Sequence, residues 1–287
     1  MKMKKIYSLG LAAVALLVLA TGCGKEAEGT NKSSSSSAQE EVTVKLGVIG
    51  ADTDVWDNVQ ARLKDEGINL EYVKFTEYSQ PNTALASGDI DLNSFQHQFF
   101  LDNFNEEHGT ELVSIGNTVN APLGIYSDKL KDVSELKEGD KVAIPNDVTN
   151  GGRALNLLES AGLIKIDETK KQAPTVSDVI ENKLNLDITE LEASQTARAL
   201  QDVTVSVINS GMAVDAGFIP TEDAIFLEPV DEGSRPYVNI IVARTEDKDN
   251  EVYQKVVAAY QNEETVKVIE ETSKGSSIPA WETFGSK

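Results

Sequence analysis

YSQPNTALASGDIDLNSFQH, residues Tyr78 to His97, decides the reading of this chain. Pro81 breaks the backbone just after an aromatic residue. The apolar patch Ala84, Leu85 and Ala86 then predicts a short helix that Gly88 closes. Asp89 to Asn93 alternates polar with apolar residues, so Ile90 and Leu92 share one side, as in a half-buried strand. Phe95, Gln96 and His97 leave the C-terminal end of that strand, where open α/β sheets usually hold ligands. On pattern alone, a turn, a helix and a strand with a core Phe and a surface His is the favoured reading.

Upstream, Val42, Val44, Leu46 and Val48 alternate with Thr43, Lys45 and Gly47 and predict a strand. Asp52 or Thr53 is placed to cap a helix whose Val55, Trp56, Val59 and Leu63 recur at helical spacing, with Gly67 as its stop. A strand over 70–75, a helix over 98–107 and a strand over 111–116 complete a βαβαβαβ order, which implies parallel strands joined by helical crossovers. A second round begins near Asn120. Strands are predicted over 121–127, 142–144, 164–166, 186–191, 204–208 and 224–227, and helices over 134–136, 151–161, 176–180, 195–200 and 212–216. A strand over 237–243 follows, and the remainder reads as two helices, the first with Val252, Val256, Val257 and Tyr260 on one face. Two such rounds suggest two α/β lobes, 42–119 with 240–287 and 120–239, the C-terminus returning to the first. A single doubly wound sheet, or two domains in tandem, fits the same periodicity.

The second round holds IPNDVTNGGRAL, Ile144 to Leu155, where a strand opens into Asn, Asp and Gly and then a helix with Arg153 near its start. Free amides at a helix N-terminus favour an anion, and Arg adds a planar two-pronged donor suited to a carboxylate. A well-capped helix with a surface Arg is the equal alternative. Asn209 and Asn239 stand at strand ends; their amides both donate and accept and could serve a carboxylate and an ammonium together, although Asn there is commonly turn chemistry.

Of 287 residues, 47 are Asp or Glu and 26 Lys or Arg, a formal charge of −21. That argues against nucleic acid as a partner, since phosphate binding relies on basic side chains. One Cys allows no disulfide within the chain, so the fold must rest on its core. With two His and no Gly-x-Ser-x-Gly, a serine-hydrolase site has no support. Structural zinc is not expected, and no phosphate loop or dinucleotide fingerprint is present, so neither metal nor cofactor is expected. Asp89 and Asp91 read as a solvated edge.

At the N-terminus, Lys2, Lys4 and Lys5 precede an apolar run, Leu9 to Ala20, that is too short for a normal spanning helix. Ala20-Thr21-Gly22-Cys23 resembles a lipobox, in which the Cys is acylated and the chain is cut before it; an ordinary signal peptide with an incidental Cys is the alternative. Residues 1–22 therefore read as a signal peptide. Residues 23–41, with the run Ser33 to Ser37, read as a lipid-anchored Cys and a flexible tether too polar to repay its own ordering.

YSQPNTAL, GDIDLN and FQH, in this order and spacing, resemble the NlpA-type methionine-binding lipoproteins of ABC importers. GNTVNAPLGIYS, VAIPND with RAL, VINSGMAVDAG and PYVNIIVAR extend the resemblance over nearly all of residues 43–260. Each piece is weak alone; together, in order, they are specific. The resemblance implies a two-lobed, periplasmic-binding-protein-like α/β fold of the type with two crossovers and a ligand cleft between the lobes. It also implies that Tyr78, Phe95 and His97 wall the side-chain pocket, while Arg153, Asn209 and Asn239 hold the α-carboxylate and α-amino groups of an amino acid. The implied function is capture of L-methionine and its delivery to a membrane permease by a monomer anchored through Cys23 on the extracytoplasmic face of the cell membrane. D-methionine, another apolar amino acid or a methionine-containing dipeptide are alternatives. The chain departs from the pattern at Phe100, where many members have Tyr, at Ala121, where several have a larger aromatic or His, and at Asn182-Lys183-Leu184-Asn185 in place of Asn-Pro-Lys-Asn. An anchored enzyme on the same scaffold would need a nucleophile–base pair, and His97 has no evident partner. A surface adhesin would show repeats or large apolar patches, and neither is evident.

Overall fold

Alternating burial along β1 (Val42–Ile49) sets up the first sheet: Val44, Leu46 and Val48 are buried while Thr43 and Lys45 face solvent. The structure is a computed structural model that describes residues 41–287. The signal peptide, Cys23 and the serine tether as far as residue 40 lie outside the described residues. Helix α1 (Asp54–Lys64) buries Trp56, Val59 and Leu63, and leads to β2 (Ile68–Phe75), which pairs parallel with β1 over its whole length. Helix α2 (Gln80–Ser87) has Pro81 in its first turn and ends at Gly88, whose N–H bonds to the Ala84 and Leu85 carbonyls. Strand β3 shrinks to Leu92–Asn93, parallel to β1. Helix α3 (Gln98–His108) and β4 (Leu112–Asn120) follow.

The βαβαβαβ order predicts parallel neighbours throughout, and here the sheet differs. Its order is β2-β1-β3-β12-β4-β13, where β12 is Val238–Arg244 and β13 is Ile278–Pro279. β12 lies between β3 and β4 and antiparallel to both. The reason is in its sequence: Ile240, Ile241, Val242 and Ala243 form an unbroken apolar run buried on both faces, which only a central strand allows.

The second sheet contains β5 (Gly124–Tyr126), β6 (Lys141–Pro145), β9 (Asp187–Leu191), β10 (Val205–Ile208) and β11 (Phe226–Leu227), in the order β11-β5-β10-β6-β9. β6 runs parallel to β9 and β10, and β5 runs antiparallel to β10 and β11. Helix α4 (Val148–Ser160) packs Ala154, Leu155, Leu157 and Leu158 into this lobe's core. It lies so close to β6 that a Cβ at Gly151 would stand 2.8 Å from the Pro145 carbonyl oxygen. The helix expected over 176–180 is instead one tight turn, Val176–Asp178, and then β8 (Val179–Glu181), which pairs with β7 (Lys165–Ile166). The β-branched pair Val179-Ile180 favours extension over so short a helix. Short helices α5 (Ala193–Thr196), α6 (Ser210–Asp215) and α7 (Pro220–Asp223) link the later strands; α7 has no counterpart in the sequence reading.

The chain passes from the first sheet to the second once after Asn120 and returns before Val238, and the buried Asn120 Nδ2 donates to the Ser234 carbonyl to tie the two crossings together. Helices α8 (Glu251–Tyr260) and α9 (Glu263–Ser273) pack on α1, with Trp56 against Tyr260 at 4.8 Å between ring centroids. After β13, α10 (Ala280–Phe284) adds an element beyond the two expected helices.

Candidate functional site

A cavity of about 260 Å³ opens between the two sheets, and Tyr78, Phe95, His97, Arg153, Asn209 and Asn239 all line it. Phe100, Ala121 and Asn150 join them. Four of the nine, Tyr78, Phe95, His97 and Phe100, come from the segment that precedes α2 or follows β3.

The Phe95-Gln96-His97 turn is held by three buried amides. Asn82 and Gln96 exchange hydrogen bonds (2.7 Å from Asn82 Nδ2, 2.6 Å from Gln96 Nε2), and Asn93 takes 2.9 Å from Gln96 and gives 2.9 Å to Asn82. A buried polar network is favourable only when its members are satisfied, and this one largely satisfies itself. The Ile240 N–H donates to the Gln96 carbonyl and His97 pairs with Asn239 across a β-bridge, so the turn and the start of β12 fix each other.

Tyr78, Phe95 and Phe100 form a mutual cluster with ring centroids 5.9, 5.9 and 6.1 Å apart, two of the three contacts edge-on. These spacings are those of attractive aromatic pairs. Burial above all pushes the Tyr78 phenol up, so it is neutral.

His97 lines the cavity and is also a bracket between elements. Its Nδ1 accepts the Phe100 N–H at 3.0 Å, capping α3, so the proton sits on Nε2, which faces Asn150 Oδ1 at 3.3 Å. Burial, and then the charge of Arg153, push its pKa down to about 3. The imidazole is neutral and both nitrogens are engaged.

Arg153 is 4 % exposed. The sequence leaves its two-pronged face either to a ligand carboxylate or, on a well-capped helix, to solvent. Instead Glu228 occupies that face: Nε lies 2.9 and 3.1 Å from the two carboxylate oxygens, and Nη2 binds Oε2 as well as the Ala121 carbonyl at 3.1 Å. The guanidinium lies 4.3 Å over the Tyr237 ring, a cation–π contact. Nη1 has no protein acceptor among the described residues. Glu228 also accepts the Leu123 N–H at 2.9 Å, which ties the pair to the first crossing segment.

Asn209 begins α6 but makes no capping bond. Its Nδ2 donates to Asn150 Oδ1 at 2.8 Å, and its own Oδ1 is buried without a partner among the described residues. Asn239 lines the cavity with its backbone paired to His97. Asn150 and Glu228 are the residues that sequence reasoning missed. Asn150 stood inside the quoted loop, where its place before Gly151-Gly152 was the available signal; Glu228 is distant in sequence and carried none.

Two α/β sheets, two crossings and a cavity lined from both define the class, a two-lobed periplasmic-binding-protein-like fold. The chain belongs to the NlpA lipoprotein family, whose model matches residues 44–281. It is 40 % identical over 284 residues to the D-methionine-binding lipoprotein MetQ of Escherichia coli (strain K12), covering 98 % of this chain and 99 % of that protein. Among solved structures it is similar to a nutrient-binding protein from Burkholderia cenocepacia bound to methionine (TM-score 0.79, 42 % identity, 83 % of this chain and 99 % of that one). It is also similar to the substrate-binding protein of a methionine transporter from Streptococcus pneumoniae (TM-score 0.79, 41 % identity, 83 % and 96 %).

Proposed function

We propose that the protein captures free L-methionine in the cleft and delivers it to the membrane permease of an ABC importer. The observation that carries this is the pairing, at one cavity, of Arg153 with a free Nη1 and Asn209 with a free Oδ1, a donor for a carboxylate and an acceptor for an ammonium. Because Glu228 already pairs with Arg153, the two together add little net charge, which suits a zwitterion better than an anion. The ring cluster of Tyr78, Phe95 and Phe100 suits a thioether, which packs favourably against aromatic edges. The methionine named for the relatives supports the same assignment. D-methionine is the second reading, favoured by the name of the Escherichia coli relative.

The lobes we assign are 42–119 with 240–287 and 120–239, closing as hinged bodies about crossings near Asn120 and Tyr237. The relatives are binding proteins, and His97 with both nitrogens engaged is poorly placed as a general base, so we assign binding and no catalysis. We further assign a monomer held on the extracytoplasmic face of the cell membrane by an acylated Cys23, which the lipobox-like sequence and the lipoprotein names of the relatives support. A Cys23→Ala form should then leave the membrane fraction or stay unprocessed; a variant that is cut normally and still sediments with membranes would contradict the anchor. Mass spectrometry of the small molecule that co-purifies with the protein, followed by chiral chromatography, tests the ligand. L-methionine is expected, the D form would select the second reading, and calorimetry that finds no binding of either enantiomer would refute both.

A further inference from the structure

We propose that Asp147, which does not line the cavity, decides which atom Asn209 presents there, and so equips the site for a ligand's protonated amine. The proposal rests on the assignment of the cavity to an amino acid. Asp147 caps α4 by accepting the Asn150 N–H at 2.9 Å, and its two carboxylate oxygens also hold the Asn150 side-chain amino group at 3.0 and 3.1 Å. A carboxylate can only accept, so the nitrogen end of that amide is fixed toward Asp147 and the oxygen end must face away from it. Asn150 is 2 % exposed.

On its far side Asn150 Oδ1 receives two donors, Asn209 Nδ2 at 2.8 Å and His97 Nε2 at 3.3 Å. His97 cannot reverse the pattern, because its Nδ1 already accepts the Phe100 N–H. One N–H of the Asn209 amino group goes to Asn150, which turns Oδ1 away from that partner and leaves it buried without a protein donor among the described residues. Each orientation follows from the one before it, beginning at Asp147, and the amide assignments are those the network itself requires. The Oδ1 lone pairs of Asn209 are then left for a ligand's amine. An amine completes that oxygen, whereas a second carboxylate or a carbonyl would meet it lone pair to lone pair. Asp147 is thus a positioning residue that acts through Asn150.

The test is Asp147→Ser. Serine caps a helix about as well as aspartate, but its single oxygen is used by the Asn150 N–H, so the Asn150 amide is free to turn over. The thermal midpoint should stay near that of the wild type. Calorimetric affinity for methionine should fall by about tenfold or more, the scale of a charge-assisted hydrogen bond. Affinity for 4-(methylthio)butanoate, the same chain without the amino group, should change little. Equal losses for the two ligands, or no loss for either, would overturn the proposal. Asp147→Asn, also a good cap, should show the same selective loss and serves if the serine variant does not fold.

A second arm needs no ligand. In protein labelled with 15N-asparagine, the Asn150 side-chain amide protons should resist exchange in the wild type and exchange quickly in the variant. Equal exchange in both would overturn the relay. A protected Asn150 amide in a wild-type protein that binds no methionine would refute the amino-acid assignment and leave the relay standing.

Discussion

Replacing Arg153 with Met separates its ion pair with Glu228 from the ligand contact we propose for it. The variant leaves the Glu228 carboxylate without its cation. Removing one member of a buried ion pair costs about 3–5 kcal/mol, but Glu228 is 17 % exposed against 4 % for Arg153, so water offsets part of the loss and about 2–3 kcal/mol is expected. For a domain of this size that corresponds to a fall of roughly 5–10 °C in thermal midpoint. Binding should also weaken, by about 1.5–3 kcal/mol for the lost charge-assisted bond, or roughly tenfold to a hundredfold and somewhat more. Adding Glu228→Gln discriminates. The double variant has no orphaned charge, and the Gln oxygen can still accept the Leu123 N–H, so stability should recover while affinity does not. Thermal unfolding and calorimetric titration with methionine read the two quantities. If the double variant recovers affinity together with stability, Arg153 only supports the fold and the carboxylate seat is elsewhere.

His97 gives a pH prediction. Its pKa is about 3 in the folded chain against an ordinary 6.5, so the unfolded chain takes up a proton first; the stability gained by keeping the ring neutral is complete above about pH 6.5 and declines as pH falls toward 3, at about 1.4 kcal/mol per pH unit. His97→Gln should lose stability less steeply over that window in denaturant titrations, and methionine binding by the wild type should show no His97 titration between about pH 5 and 8; a His-like step there would contradict the buried neutral ring. Gly50 has φ +84°, and a Cβ there would collide with Asp215 Oδ2, which the lobes we propose would bring against it. Gly50→Ala should therefore weaken methionine binding and enlarge the radius of gyration with ligand in solution scattering, and Asp215→Gly in the same chain should restore all but the backbone strain, about 1 kcal/mol; wild-type affinity in Gly50→Ala alone would show that these lobes do not close on that contact. Asn82→Leu should cost about 1–3 kcal/mol for each polar group that it orphans on Asn93 and Gln96, read by urea unfolding, and an unchanged midpoint would mean that the amide network does not hold the Phe95-Gln96-His97 turn.

Local chemistry made much of this architecture legible. The period-two run of Val44, Leu46 and Val48, the helical spacing of Trp56, Val59 and Leu63, and the stop at Gly88 each determine an element within a few residues, and all three are present. The six candidate residues were legible through resemblance more than through pattern, since a His or Asn at the end of a strand has ordinary explanations. What stayed hidden is non-local. Nothing near Val238 says that β12 will part β3 from β4, because insertion depends on which strand can be buried on both faces, a comparison across the whole chain. Glu228 and Arg153 meet only once β11 and α4 are assembled, so the fork that looked free for a ligand is already occupied. The meeting of Asn150 with His97 and Asn209 likewise exists only in the assembled fold.

The most direct test of the account is a crystal structure of the protein with L-methionine. The carboxylate should lie within hydrogen-bond reach of Arg153 Nη1, the ammonium on Asn209 Oδ1, and the thioether among Tyr78, Phe95 and Phe100. Methionine bound outside this cavity, or reversed with its carboxylate on Asn209, would contradict it.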